Sequence, residues 1–381
     1  MHVLIIGGTG QISTSLTWKL AGDGHNVTIF NRGERRVPLP ETVRIVQGDR
    51  EDRTALEAVA RQRAFDAVFD FICWNPDHAR ADVAAFTGRC GQFIYISTAW
   101  VYGPPRSFPM AEDHPCVPVD GYGKNKLAAE EVFRDALQRQ AFPATIMRFH
   151  ATYNDYSAWP SLLQDDPTVP YRILNRRPLL IHDRGVLPTH FLHADDAAVA
   201  LAGVISRPEQ TRYETFNIVG ESIAWKDVFD GLGRVLGEPP LYAPLPAEYI
   251  IERFPERTWP LRGVHQFAMT LSNRKLIAVV PEFTITISTQ DGLRRRQELP
   301  DAIGRPETQT DPAPDLTAEI DAAIDAWNHQ RGVGRTDHHA KMTEIDPEAE
   351  ELLERLEELS AIIQGGHGGG PGGGPPGGGG G

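Results

Sequence analysis

The sequence predicts an α/β protein, a doubly wound parallel sheet with helices on both faces and a smaller C-terminal lobe. Three observations carry that expectation. Short apolar runs alternate with amphipathic stretches through the first two hundred residues, the pattern of repeated βαβ units. The first run leads directly into a glycine turn and a helix start. From about residue 159 to 259, prolines and aromatics punctuate shorter elements instead.

Strands are expected at 2–6, 26–30, 43–47, 67–72, 92–97 and 144–149, with helices at 13–21, 54–62 and 126–140 between them. The sheet core therefore occupies mainly residues 1–158, and residues 159–331 form mainly the lobe, with some elements returning to the core. Residues 332–343 lack periodicity and read as a linker. Leu352, Leu356, Leu359 and Ile363 follow at steps of four, three and four among glutamates, so 344–364 is expected to be an acidic amphipathic helix. Residues 365–381 contain 13 glycines and 3 prolines and have nothing to bury, so a disordered tail is expected.

Composition narrows the function classes. Lys+Arg 38 against Asp+Glu 51 leaves a net charge of −13, which argues against a basic nucleic-acid surface. Much of that acidity lies at 337–364, with nine acidic and two basic residues, so the body keeps room for a locally positive cleft. Cys73, Cys90 and Cys116 are odd in number and widely spaced, predicting neither a disulfide framework nor a zinc cage. His338, His339 and His367 lack metal-ligand spacing, and no metal is expected. No apolar stretch approaches the roughly 18 residues of a membrane span. A cytoplasmic protein with a small-molecule substrate is the expectation, and self-association into a homodimer is compatible with the C-terminal helix.

The segment Leu4-Ile5-Ile6-Gly7-Gly8-Thr9-Gly10-Gln11-Ile12-Ser13 joins a strand, a glycine turn and a helix start. Such a turn permits positive φ and brings backbone N–H groups to a pyrophosphate at the positive end of a helix dipole. A Rossmann-type dinucleotide site is therefore expected, with Gly7, Thr9, Gly10, Gln11 and Ile12 as contacts. At the end of the second strand an acidic residue would bind ribose hydroxyls and repel a 2′-phosphate. Asn31 stands there instead, followed by Arg32, Arg35 and Arg36, which favours NADP(H) over NAD(H) unless this is only a polar turn. Asp49 and Arg50 follow the third strand. Asp49 either accepts from the adenine amino group or caps the helix beginning near Asp52.

Tyr122 and Lys126 are four residues apart, on one face of a helix. A nearby ammonium is expected to lower the phenol pKa towards neutrality, making Tyr122 a general acid/base, and Lys126 can also bind nicotinamide ribose. Upstream lies Tyr95-Ile96-Ser97-Thr98-Ala99-Trp100-Val101-Tyr102-Gly103, a strand ending in Ser-Thr.

With these segments, with Thr189-His190-Phe191-Leu192-His193-Ala194-Asp195-Asp196 and with Phe216-Asn217-Ile218-Val219-Gly220, residues 1–331 resemble the extended short-chain dehydrogenase/reductases, the NAD-dependent epimerase/dehydratase family. Ser272-Asn273-Arg274-Lys275-Leu276 is similar to a further segment of that family. The resemblance implies a triad of Thr98, Tyr122 and Lys126: Tyr122 exchanges the proton, Thr98 hydrogen-bonds the reacting oxygen, and Lys126 holds the ribose. It implies hydride transfer at a hydroxyl or ketone carbon of a sugar-like or natural-product substrate, by a reductase or an epimerase.

Departures from the family pattern shape the expectation. Ser13 replaces the third glycine of the turn. Ala99 and Trp100 stand where 4,6-dehydratases carry Asp-Glu, arguing against that chemistry. Ala151 falls where many nucleotide-sugar epimerases have asparagine. The bulky Asp70-Phe71-Ile72-Cys73-Trp74-Asn75-Pro76, together with Phe30-Asn31-Arg32-Gly33 and Gly48-Asp49-Arg50, resembles an atypical branch that includes plant chloroplast stem-loop RNA-binding proteins and unassigned bacterial reductases. A dinucleotide-binding scaffold, RNA-binding or redox-sensing, is accordingly the alternative function.

Trp74 and Trp100 are either a substrate wall or ordinary core-edge tryptophans. His150 is either a second proton donor or a structural histidine. His193, Asp195 and Asp196 are expected to tie the lobe to the core, and Arg294, Arg295 and Arg296 to form a solvated helix end.

Overall fold

The computed structural model describes residues 1–299 and 310–330. The linker, acidic helix and glycine tail expected at 332–343, 344–364 and 365–381 lie outside the described residues. The chain divides into two compact units, Met1–Ile324 and Asp325–Gly381; of the second, only the end of the helix Pro314–Gln330 is described.

The main sheet has seven parallel strands. They are β1 (His2–Ile6), β2 (Asn26–Asn31), β3 (Arg44–Gln47), β4 (Phe65–Asp70), β5 (Cys90–Thr98), β6 (Ala144–Phe149) and the later β10 (Thr215–Ile218), in spatial order β10-β6-β5-β4-β1-β2-β3. Side chains alternate across a strand, so in β1 Val3 and Ile5 face one layer while Leu4 and Ile6 face the other, and all four are fully buried. Helices α1 (Gln11–Gly22) and α6 (Ala194–Ile205) cover the first face. Helices α2 (Arg53–Arg61), α3 (Pro76–Phe86) and α4 (Gly121–Gln140) cover the second. The helix α5 (Thr168–Leu174) belongs to the lobe.

Among the boundaries that differ from the sequence expectation, two do so for clear local reasons. Strand β4 ends at Asp70 because the Asp70 carboxylate accepts from Ile72 N at 2.7 Å and turns the chain out of the sheet. Helix α4 begins at Gly121, five residues early, because Asp120 accepts from Gly123 N at 2.6 Å as its N-cap. Two glycines at the helix start disguise it in the sequence.

Strand order reverses at β1, with β4 on one side and β2 on the other, so a crevice opens at the carboxyl ends of these strands. The chain leaves the main sheet at His150, between β6 and β7 (Ala151–Tyr153). It then builds a three-stranded sheet, β11 (Glu221–Ala224), β9 (Pro188–His193) and β7, and a two-stranded one, β8 (Leu179–Ile181) with β12 (Tyr242–Pro244). Among the described residues no helix is long and apolar enough to cross a membrane.

Candidate active site

A cleft of about 560 Å³ runs along the carboxyl ends of the strands, from Gly7, Thr9, Gly10, Gln11 and Ile12 to Tyr122, Lys126 and His150. At its first end the backbone makes the site. Gly7 and Gly8 have φ of +111° and +87°, and a Cβ on Gly8 would lie 2.5 Å from Ile29 Cγ2, so only glycine fits there. Gly10 caps α1, and its N–H donates to the Ser13 hydroxyl at 2.8 Å. Ser13 thus stands in for a glycine by packing fully buried and closing the first turn.

Asn31 spends its amide on the backbone, donating to Gly7 O and accepting from Gly33 N, each at 2.9 Å. It ties the glycine turn to the loop after β2. Arg32 lines the cleft and pairs with Glu34 at 2.9 Å, both well exposed. Asp49 lines the cleft and accepts from Glu51 N; Asp52, accepting from Thr54 N and Ala55 N, caps α2.

Arg50 also lines the cleft but is 5% exposed, with Nη2 bonded to Asp70 at 2.6 Å and Asp82 at 2.8 Å. Its Nε and Nη1 have no partner among the described residues. Buried donors without a partner are costly, so Arg50 fits a role towards an acceptor-rich ligand. Burial and Asp70 push the Asp82 carboxyl well above the usual range, partly offset by Arg50. The glycine cradle, the helix N-terminus and the orphaned Arg50 donors together fit a dinucleotide.

At the other end, side chains make the site. Thr98 closes β5 and is buried; its hydroxyl accepts from Trp100 N at 3.3 Å, and it lines the cleft together with Tyr122. Lys126 is 2% exposed, and its Nζ donates to Cys73 O at 2.9 Å and Ile96 O at 2.5 Å, 4.4 Å from the Tyr95 ring centroid. Burial lowers its pKa to about 8, against the opposing pull of Cys73, Asp70 and Glu130. The expected lowering of Tyr122 by Lys126 is not what these residues produce. Burial pushes Tyr122 up to about 12, with Thr98 working against it, because the lysine charge is turned towards carbonyls. Tyr122 therefore keeps its proton at neutral pH.

Trp100 is buried and packs edge-on against Tyr122, ring centroids 5.1 Å apart; Trp74 is 47% exposed and 6.3 Å from Tyr122. His150 is buried with Nδ1 3.3 Å from His190 O, and its Nε2 has no partner. Burial, with His265 and His190 nearby, holds its pKa well below the usual histidine value. A neutral ring that donates through Nδ1 offers Nε2 as an acceptor, which favours the structural histidine over the second proton donor.

Several residues escaped the sequence reading. Trp259 lies with its ring centroid 4.8 Å from Trp100 and tilted by 45°, and Glu130 holds Arg148 through two oxygens at 2.7 and 3.0 Å, both of these side chains buried. Arg296 is buried with its guanidinium 4.2 Å from the Trp159 ring, correcting the solvated helix end expected there. Its helix, Thr289–Glu298, places Leu293 and Arg296 on one buried face, three residues apart. His193 caps α6 by accepting from Asp195 N, and Asp196 accepts from Thr286 N and Ile287 N.

The model of the NAD dependent epimerase/dehydratase family matches residues 3–219. The 2′-dehydrokanamycin reductase of Streptomyces kanamyceticus is 27% identical over 256 residues, 66% of this chain and 72% of that protein. The chloroplast stem-loop binding protein of 41 kDa b of Arabidopsis thaliana is 25% identical over 309 residues, 76% and 77% of the two chains. The fold is shared with the Bacillus cereus UDP-glucuronic acid 4-epimerase in complex with UDP-glucuronic acid and NAD, at a TM-score of 0.61 and 19% identity, covering 78% of this chain and 98% of that one. By the length of the family match and by its cleft, the chain belongs to the NAD dependent epimerase/dehydratase family.

Proposed function

We infer that the protein is an NAD(P)-dependent oxidoreductase that reduces a ketone on a sugar-like or natural-product substrate. The observation that carries this is the convergence of Thr98, Tyr122 and Lys126 at one end of a cleft whose other end is the glycine turn. When bound, the nicotinamide supplies the hydride. Thr98 and Tyr122 hydrogen-bond the substrate oxygen and hold it over the strand ends. The Tyr122 O–H gives its proton to that oxygen as negative charge develops, and the buried Lys126 ammonium holds the ribose hydroxyls. The reductase relative supports reduction; an epimerase would use the same residues to withdraw and return the proton. A 4,6-dehydratase is disfavoured, because Ala99 and Trp100 place no carboxylate beside Thr98 for eliminating water.

NADP(H) is the proposed form of the cofactor. Asn31 offers no charge to repel a 2′-phosphate, and Arg32 and Arg35 line the cleft. The Arg32–Glu34 pair and the NAD in the matched epimerase structure favour NAD(H) instead, so the choice rests on the loop at 31–36.

A second reading, a dinucleotide-binding scaffold, is favoured by the relative named for stem-loop binding. Tyr122→Phe distinguishes the two. Loss of turnover by about 10²–10⁴-fold, with NADPH binding intact in calorimetry, is expected of the enzyme. A biological activity that survives the substitution unchanged supports the scaffold.

A further inference from the structure

The buried charges between the two ends of the cleft form one connected path. Arg50 follows β3, Asp70 ends β4, Asp82 lies on α3 and Lys126 on α4, and each of the four is at most 5% exposed. Arg50 Nη2 donates to Asp70 Oδ2 at 2.6 Å and to Asp82 Oδ1 at 2.8 Å. The other Asp70 oxygen accepts from Ile72 N at 2.7 Å and so closes the turn that leads to Cys73. That turn presents the Cys73 carbonyl, which accepts from Lys126 Nζ at 2.9 Å. The two oxygens of Asp70 therefore have separate tasks: the guanidinium grips one, and the other shapes the turn that takes the ammonium.

A parallel set of contacts joins the same two loops. Glu51, beside Arg50, lies 2.7 Å from His78 Nε2, and His78 Nδ1 accepts from Trp74 N at 3.2 Å. The residues after β3 thus hold the residues after β4 at Asp70 and at Trp74, on either side of Cys73. Charge points the same way. Facing Lys126 are Asp70 and Cys73 from the turn, Glu130 from its own helix, Arg50 from the loop after β3 and the Tyr95 ring of β5, 4.4 Å away. Asp70 and Glu130 favour the ammonium, whereas burial and Arg50 oppose it. Glu130 is also engaged by Arg148, Arg134 and Ser97. Burial and the Asp70 charge push the Asp82 carboxyl well above its usual range, so Asp82 is the carboxyl of the pair disposed to hold a proton.

We propose that Asp70, clamped by Arg50, is a positioning residue for Lys126: it anchors the turn whose Cys73 carbonyl captures the ammonium and supplies negative charge that keeps the ammonium there. Arg50 and Asp82 act through Asp70. The path ties the loop after Asp49, at the dinucleotide end, to the lysine at the other end. What Lys126 does for ribose rests on the oxidoreductase reading; where its ammonium is held, and when it loses its proton, does not.

The ionisation of Lys126 in the full chain tests this without turnover. Isotope-labelled lysine is observed at Cε by NMR as pH is raised, and the Lys126 signal is the one lost in Lys126→Arg. Its midpoint is expected near pH 8 in the unaltered chain and about one pH unit lower in Asp70→Asn, which keeps the shape and removes the charge. Asp82→Asn replaces a carboxyl disposed to hold a proton and is expected to leave the midpoint near 8. Arg50→Met removes an opposing cation and moves the midpoint up, which decides the matter where Asp70→Asn does not fold. A midpoint unmoved by Asp70→Asn, an equal drop in Asp82→Asn, or a midpoint that Arg50→Met leaves in place or lowers overturns the proposal. Calorimetry with NADPH at pH 8 reads the ribose role separately: binding about fivefold weaker in Asp70→Asn is expected, as the charged fraction of Lys126 falls from about half to about a tenth. Unchanged NADPH affinity with a lowered midpoint upholds the positioning role and removes the ribose role of Lys126.

Discussion

The two ends of the cleft are made of different materials. The dinucleotide end is backbone: the turn at Gly7 and Gly8, the first turn of α1 and the tips of β1, β2 and β3, all from the first fifty residues. The substrate end is side chain: Trp74, Tyr122 and His150 line it and Trp100 and Trp259 pack against Tyr122, five separate segments in all. A backbone site tolerates little change of residue type but little change of chemistry either, whereas a side-chain site can be rebuilt while the fold is kept. The buried ionic groups beneath the two ends repeat the contrast. Under the substrate end every nitrogen of the Arg148 guanidinium is bonded, to Glu130, Tyr102 and Glu112 O, and Glu130 also accepts from Ser97 and Arg134. Under the dinucleotide end Arg50 works through Nη2 alone and shares two carboxylates, one with its pKa raised far above normal.

The largest expected effect separates these two networks. Arg148→Met leaves the fully buried Glu130 charge facing Arg134 alone and should cost about 3–5 kcal/mol in urea unfolding. Arg50→Met should cost less, because Asp82 can take up a proton and relieve the charge left behind. Equal losses at pH 7 would mean that the dinucleotide end is held as rigidly as the substrate end.

A smaller effect is expected in the pH dependence of catalysis, at the place where the two ends meet. Lys126 has a folded pKa of about 8 against an ordinary value of 10.5, so burial disfavours its charged form. The sign follows from proton uptake: between these values the unfolded chain binds the extra proton, so this group's contribution to stability rises as pH climbs from about 8 to 10.5 and is lost as pH falls back through 8. The charge proposed to hold ribose behaves oppositely, disappearing above pH 8. We expect kcat/KM to fall about tenfold per pH unit beyond it. Lys126→Arg keeps the charge, at reduced activity, and should move the descending limb upwards, towards the Tyr122 ionisation near 12. A limb that stays near 8 assigns it to a group other than Lys126.

The same contrast of materials explains what the sequence made legible. The glycine turn is read easily because strand, turn and helix are consecutive and each has a local signature. Tyr122 and Lys126 are found by spacing, but spacing does not say where the ammonium goes; the carbonyls of Cys73 and Ile96 capture it, and the phenol pKa rises instead of falling. Trp259 carries no pattern linking it to Trp100, 159 residues earlier in the chain, because their meeting depends on how the lobe folds back. At Arg296 three consecutive arginines suggest solvent, while helical geometry buries one of them.

The smallest expected effect on stability tests the dinucleotide end most directly. Arg32 and Glu34 are more than half exposed, so their ion pair is screened, and Arg32→Ala should change stability by no more than about 0.5 kcal/mol. Its effect on cofactor choice should be larger. If Arg32 meets a 2′-phosphate, Arg32→Ala lowers the ratio of kcat/KM for NADPH over NADH about tenfold, the worth of one charge-assisted contact at a partly exposed site. Glu34→Gln removes the competing carboxylate and should raise the same ratio. The pair of variants fixes the direction of the effect as well as its size: a phosphate-reading arginine moves the ratio down when removed and up when released. A ratio indifferent to both changes would reduce Asn31 and Arg32 to a polar turn and make NAD(H) the cofactor, leaving Asn31 to brace Gly7 and Gly33.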